Sequence, residues 1–189
     1  MPRPPILPVL DWREIFESGR DFETWVEEAE IAEHREKMLA AVDRQELEAT
    51  TAAALRGLPR AVHVVAFAED WCGDVVRHVP VLHRIQREAP ALHVRYLARE
   101  EQPEAFARFL TNGGEAVPKF VFLSDRFVEC GNWGPMDDEG RELIARGKAC
   151  GDVAAARVKV SALYAADKDR AVVVRELVGR ILIASAERP

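Results

Sequence analysis

Apolar residues recur at helical spacing from Asp21 to about Ala41, at Phe22, Trp25, Val26, Ala29, Ala32, Met38 and Ala41, among many glutamates. That pattern predicts an amphipathic helix with Asp21 as its N-cap. A second helix is predicted from about Arg44 to Leu55, stopped by Gly57 and Pro59. No low-complexity linker follows, so residues 1–59 read as a helical extension packed on the rest. Ala61 to Ala68 is a short β-branched run of the kind that forms a buried central strand. Beyond it, Val75, Val76, Val79, Leu82 and Ile85 mark a helix from Cys72 to about Glu88 with Pro80 inside, where a kink is expected. Leu92 to Ala98 alternates like a strand, and a proline opens a short helix from Pro103 to about Leu110. Strand, helix, strand, helix is the parallel pattern. The order then changes, because Phe120–Leu123 and Phe127–Cys130 flank the polar turn Ser124-Asp125-Arg126 and predict an antiparallel hairpin. From Asp137 onward the chain reads as helical, with weak points at Gly147, Gly151 and Asp167 to Asp169 and an apolar stripe at Val173, Leu177, Ile181 and Ala184.

Composition narrows the function classes. A chain of 189 residues, nearly half hydrophobic, is long enough for one domain with an extension. The 26 basic and 32 acidic residues are interspersed and leave a net charge of −6, which disfavours nucleic acid and anionic membrane as partners. Cysteines at 72, 130 and 150 are too few and too irregularly spaced for a disulfide framework or paired zinc knuckles. Four prolines interrupt the start of the chain before any signal-peptide core builds up, and the apolar runs fall far short of the ~20 residues of a membrane span. The expectation is a cytoplasmic protein. No phosphate loop, dinucleotide fingerprint or serine-nucleophile motif occurs.

Chemistry concentrates where the first strand meets its helix, at Trp71-Cys72-Gly73-Asp74-Val75. Pro80 follows Cys72 by eight residues, and Val117-Pro118 precedes the hairpin. In these features residues 61–145 resemble the thioredoxin family, and in particular a branch whose motif reads Trp-Cys-Gly-Asp-Cys. The resemblance implies a thioredoxin-like α/β fold, a mixed sheet flanked by helices, over residues 60–189. It further implies a cis Val117–Pro118 bond that presents backbone to substrate, a groove-lining Trp71 and a glycine beside the groove at Gly131. Cys72 would be the nucleophile, with Trp71, Gly73, Asp74, Val117, Pro118 and Gly131 around the substrate. A cysteine at a helix N-terminus faces unpaired N–H groups that favour the thiolate.

Two departures change what the motif can do. Val75 stands where the family has its second cysteine, and Ala66 where it has a buried carboxylate. The internal resolving step is therefore missing. One reading is monothiol exchange through Cys72 with a thiol or a protein or peptide disulfide, an external low-molecular-weight thiol acting as resolver. The other is a redox-inactive binding or adaptor module using the same groove. Cys130, expected opposite Phe120 on the active-site side, is a possible resolving thiol, and Cys150 a weaker one. Asp74, Glu69 and Asp70 oppose thiolate formation, whereas Lys119 and Arg77 would favour it if they lie close. Asp74 and His78 share a helix face and could be drawn with Cys72 as a metal site, although a surface salt bridge is the simpler reading. Neither metal nor cofactor is expected, and an iron–sulfur cluster is disfavoured because it would need a dimer and outside thiols. The remaining histidines carry no ligand pattern, and the acidic residues from Glu23 to Glu36 read as a solvated face rather than a partner site. Oligomeric state is left open.

Overall fold

The computed structural model describes residues 7–186, so the proline-rich beginning of the chain lies outside the described residues. Four strands form one mixed sheet in the order β2-β1-β3-β4: β1 Val62–Phe67, β2 Leu92–Leu97, β3 Lys119–Leu123 and β4 Glu129–Trp133. β1 runs parallel to β2 and antiparallel to β3, and β3 is antiparallel to β4. Every residue of β1 except His63, and every residue of β3, is buried. Both faces of the sheet are therefore covered, which accounts for apolar runs without alternation.

Helix α5, Gly73–Glu88, covers one face together with α9, Ala171–Ser185, whose predicted stripe Val173, Leu177, Ile181 and Ala184 is fully buried. Pro80 lies within α5 and deprives the Val76 carbonyl of its helical donor. On the other face lie α1, Trp12–Glu17, and the short α6, Pro103–Phe106, through the Phe16–His63 and Phe67–Phe106 ring contacts.

The N-terminal part differs from the two helices read in the sequence. It holds α1, then α2 Phe22–Glu27, α3 Ala32–Arg44 and α4 Ala49–Arg56. Asp21 does cap α2, accepting from the Thr24 N–H at 2.9 Å, and Asp11 caps α1 in the same way. The single predicted helix breaks after Glu28 because Ile31 donates its N–H to the Asp70 carboxylate, a bond outside the helix. Helical spacing survives the break, since Phe22, Trp25 and Val26 pack on one side of it and Met38, Ala41 and Val42 on the other. Trp25 stacks on Tyr96 and Phe22 on His83, joining the extension to the same hydrophobic core as the sheet. Arg20 also exchanges two backbone hydrogen bonds with Tyr96 and blunts the free edge of β2.

Beyond β4, α7 Asp138–Cys150 and α8 Val153–Ala166 form an antiparallel pair turned at Gly151, whose φ is +78°. Asp137 and Asp152 cap them. Gly147, read from the sequence as a weak point, instead lies inside α7 as its contact with α8: a Cβ there would come within 2.5 Å of the Ala156 Cβ.

The β3–β4 hairpin carries a shift of register. Ser124 accepts the N–H groups of Arg126 and Val128 through its hydroxyl, Phe127 adopts a positive φ, and its ring stacks on His63 at 4.1 Å. Burial of that ring takes Phe127 out of the strand and lengthens the turn beyond the predicted Ser124 to Arg126. Leu123 then pairs with Glu129 and Phe122 with Gly131, leaving Cys130 as the extra residue of a bulge.

Candidate active site

Cys72 is the N-cap of α5, and its Sγ lies 3.3 Å from the Val117 carbonyl oxygen, which accepts the S–H. The Val117–Pro118 peptide is cis, placing that carbonyl over the thiol at the start of β3. The backbone N–H groups of Asp74 and Val75 also point at Sγ and favour the thiolate. Burial is the largest influence, however, and with the charges of Asp74 and Glu69 it pushes the Cys72 thiol above its ordinary pKa. Neither cation named as a potential counterweight contributes. Lys119 turns its Nζ to the Gly134 carbonyl at 2.6 Å and to Thr111 at 3.1 Å, and burial lowers its pKa to about 8. Arg77 bonds the carbonyls of Tyr164 and Asp167.

Asp74 and His78 do share a face of α5, but they form no surface salt bridge. His78 is fully buried, with Nε2 3.2 Å from the Tyr164 hydroxyl, and that hydroxyl donates to Asp74 at 2.8 Å. Tyr164 of α8 thus joins the two across a half-buried bridge at the edge of the groove. Burial holds the His78 ring neutral and raises the Asp74 carboxyl, against the opposing pull of Tyr164 and Arg77. Val75, in place of a second cysteine, has no exposed surface, and Ala66 packs on the α5 face beside Phe120. Among the described residues no group of three His, Cys, Asp or Glu side chains could hold a metal ion.

A groove of about 550 Å³ opens onto Cys72. One side is Trp71, Asp74 and the segment from Thr111 to Val117; the other is Met136 with Ile144, Val153 and Val160 of the α7–α8 pair. Trp71 is 53% exposed and lies under the Arg99 guanidinium at 5.6 Å. Gly73, also exposed, opens the helix beside it. The turn before Cys72 is tied down by the extension: Asp70 accepts from the Ile31 N–H at 2.8 Å, and its carbonyl lies 2.6 Å from His34 Nδ1. Glu69 pairs with Arg99 at 3.4 Å.

Trp71, Cys72, Asp74 and Val117 therefore meet at one groove, with Pro118 behind Val117, whereas two expected members do not join them. Cys130 does not lie opposite Phe120, a place taken by Trp133. At ~3.3 Å per residue it stands about 15 Å along the hairpin from Pro118, well beyond the ~7 Å Cα separation a disulfide spans. Gly131, opposite Phe122, is displaced to the same far end by the lengthened turn. Gly134 takes the place expected for it: a Cβ on Gly134, at φ +113°, would overlap the Pro118 carbonyl oxygen. The Gly134-Pro135 dipeptide after the hairpin was the sequence signal for this turn. Cys150 ends α7 and does not line the groove.

The thioredoxin family model matches residues 19–155, well over half of the chain, and this chain belongs to that family. The matched stretch begins within the N-terminal helices and takes in α7. No curated protein matches the chain. Among solved structures it is similar to PA1234, a protein of unknown function from Pseudomonas aeruginosa, at 16% identity and a TM-score of 0.71, over 92% of this chain and 98% of the other. An HIV epitope-scaffold is similar at 14% identity and a TM-score of 0.67, over 91% and 98% of the two chains. At these identities the likeness concerns the fold. No helix among the described residues is long and apolar enough to cross a membrane.

Proposed function

We propose that the protein is a monothiol thiol–disulfide exchange protein acting through Cys72, with an external low-molecular-weight thiol as its resolver. The observation that carries this reading is the placement of Cys72 Sγ at the N-terminus of α5, 3.3 Å from the Val117 carbonyl and open to a groove large enough for a small ligand. Substrate sulfur lying along Val117-Pro118 would meet the thiolate there. Release then falls to a second thiol from solution, because Val75 cannot attack and Cys130 is out of reach. Such a role suits a reducing cytoplasm.

Burial and the charges of Asp74 and Glu69 hold the thiol protonated at rest. Exchange by this centre is therefore slow at neutral pH and accelerates as pH rises past the ordinary thiol range. The same protonation favours a second reading, a redox-inactive module that binds its partner in this groove. Following alkylation and disulfide exchange against pH in a Cys130→Ala, Cys150→Ala background, with and without Cys72→Ser, separates the two. Exchange that is lost with Cys72→Ser supports the first. Partner binding that survives the substitution, without any exchange in the parent, supports the second.

A further inference from the structure

The wall of the groove supplied by α7 and α8 carries charge of one sign, and most of it has no partner among the described residues. Besides Cys72 and Tyr164, the ionisable side chains lining the groove are Asp74, Glu115, Arg141, Lys148 and Arg157. Both carboxylates are engaged, Asp74 by the Tyr164 hydroxyl and Glu115 by Arg99 at 3.3 Å. Arg141 is held by Asp138. Lys148 and Arg157 are exposed and, among the described residues, have no carboxylate within ion-pair distance. They flank the Gly147–Ala156 contact, one on each helix, so their stems leave the closest approach of the pair together. Lys148 Nζ reaches to 3.8 Å from where a Cβ on Gly114 would sit, across the groove from its own helix. The same groove is lined by the apolar side chains of Met136, Ile144, Val153 and Val160.

We infer that the groove receives a small thiol, or its disulfide, bearing at least one carboxylate, which Lys148 and Arg157 bind while its sulfur meets Cys72. The inference rests on the exchange reading and names the substrate class for it. Two unpaired cations beside a partly enclosed apolar surface favour an anion, and a groove of about 550 Å³ suits a molecule of small-peptide size. For a mixed disulfide P–S–S–R, with R carrying the carboxylate, Cys72 thiolate bonds to the sulfur of R. The P–S⁻ group leaves and takes up the proton that Cys72 gave to solvent. A second R–S⁻ then attacks the R sulfur of Cys72–S–S–R, forming R–S–S–R and restoring the Cys72 thiolate. One R–SH is thereby oxidised, and the P sulfur is reduced to P–SH.

The test compares two disulfide reagents, anionic dithiobis(nitrobenzoate) and neutral dithiodipyridine, reacting with Cys72 in the Cys130→Ala, Cys150→Ala background. Their rate ratio is then measured again after Lys148→Gln with Arg157→Gln, and at high salt. The expected result is a fall in the anionic-to-neutral ratio of roughly tenfold in the charge variant, with a fall in the same direction at high salt in the parent. A ratio that stays the same in the variant overturns the inference, even if both rates drop, and leaves the exchange reading standing. Failure of Cys72 to react with either reagent overturns the exchange reading and the substrate class with it.

Discussion

Replacing Tyr164 by Phe removes a single hydroxyl that serves the buried His78 ring and the half-buried Asp74 carboxylate at once. The hydroxyl donates to Asp74 at 2.8 Å and sits 3.2 Å from His78 Nε2, so its loss leaves a buried imidazole and a half-buried carboxylate beside the groove without that partner. The ring itself stays, with its Arg77 guanidinium contact at 4.2 Å, so packing is little changed and the cost is that of the unpaired polar groups. Such groups cost about 1–3 kcal/mol. In a chain of this length, where each kcal/mol moves Tm by about 2–4 °C, the melting temperature should fall by roughly 2–12 °C. Thermal and urea unfolding measure it, and a double-mutant cycle with Asp74→Asn isolates the bridge. The two substitutions should be coupled by about 1 kcal/mol, since the second removes a partner already lost. A Tyr164→Phe protein within ~0.5 kcal/mol of the parent, or strictly additive with Asp74→Asn, would refute the bridge and with it the anchoring of α8 to the active-site helix.

Three further outcomes are expected. Asp74→Asn removes the carboxylate charge that opposes the Cys72 thiolate, so the midpoint of the pH profile for alkylation should move to lower pH; an unmoved midpoint would show that this charge does not reach the sulfur. Gly147→Ala places a methyl group against Ala156 and should destabilise the protein by about 1–3 kcal/mol, read by urea unfolding, whereas a neutral effect would mean the two helices are not in tight contact. The pKa of His78, and less completely those of His63 and His83, is depressed in the folded protein below the ordinary 6.5. The stability linked to these neutral rings is fully present above that value and is lost as pH falls below it, by up to about 1.4 kcal/mol per pH unit for the fully buried His78 and by less for the more solvated His63 and His83. Asp74, raised from 3.8, works in the opposite sense in a lower window. Unfolding free energy measured from pH 7 to pH 5.5 should decline, and a flat profile contradicts the burial of these histidines.

The first three strands of the sheet were legible in the sequence because they are short apolar or alternating runs bounded by turn residues, and because Trp71-Cys72-Gly73 with Val117-Pro118 fixes one order of elements. The helical extension was legible only as spacing. Ile31 looks like one more apolar position in a continuous helix, and its bond to Asp70 joins residues 39 positions apart. Periodicity carries no information about such a bond. The misplacement of Cys130 and Gly131 has a similar cause, since register was counted from the polar turn and the count fails once Phe127 leaves its strand to pack on His63. The far wall of the groove was missed because α7 and α8 display only helical composition, and nothing in their sequence says which element they face. Tyr164 and Lys148 carried no motif, and the depth at which His78 lies depended on a helix 86 residues away.

The α7–α8 pair leaves the chain just after β4, and the chain comes back through Asp167–Arg170 into α9, which packs on β4 itself. Departure and return lie over the same strand, so the pair is an excursion rather than a support of the sheet. The pair touches the active-site helix through Tyr164 and through the Tyr164 and Asp167 carbonyls that Arg77 holds, and those contacts bound what can be changed in it. In engineering terms it is a cassette with a fixed hinge: a different helical pair grafted between Asp137 and Arg170 that keeps Tyr164 and the Asp167 turn would retarget the groove to another ligand while the sheet stays as it is.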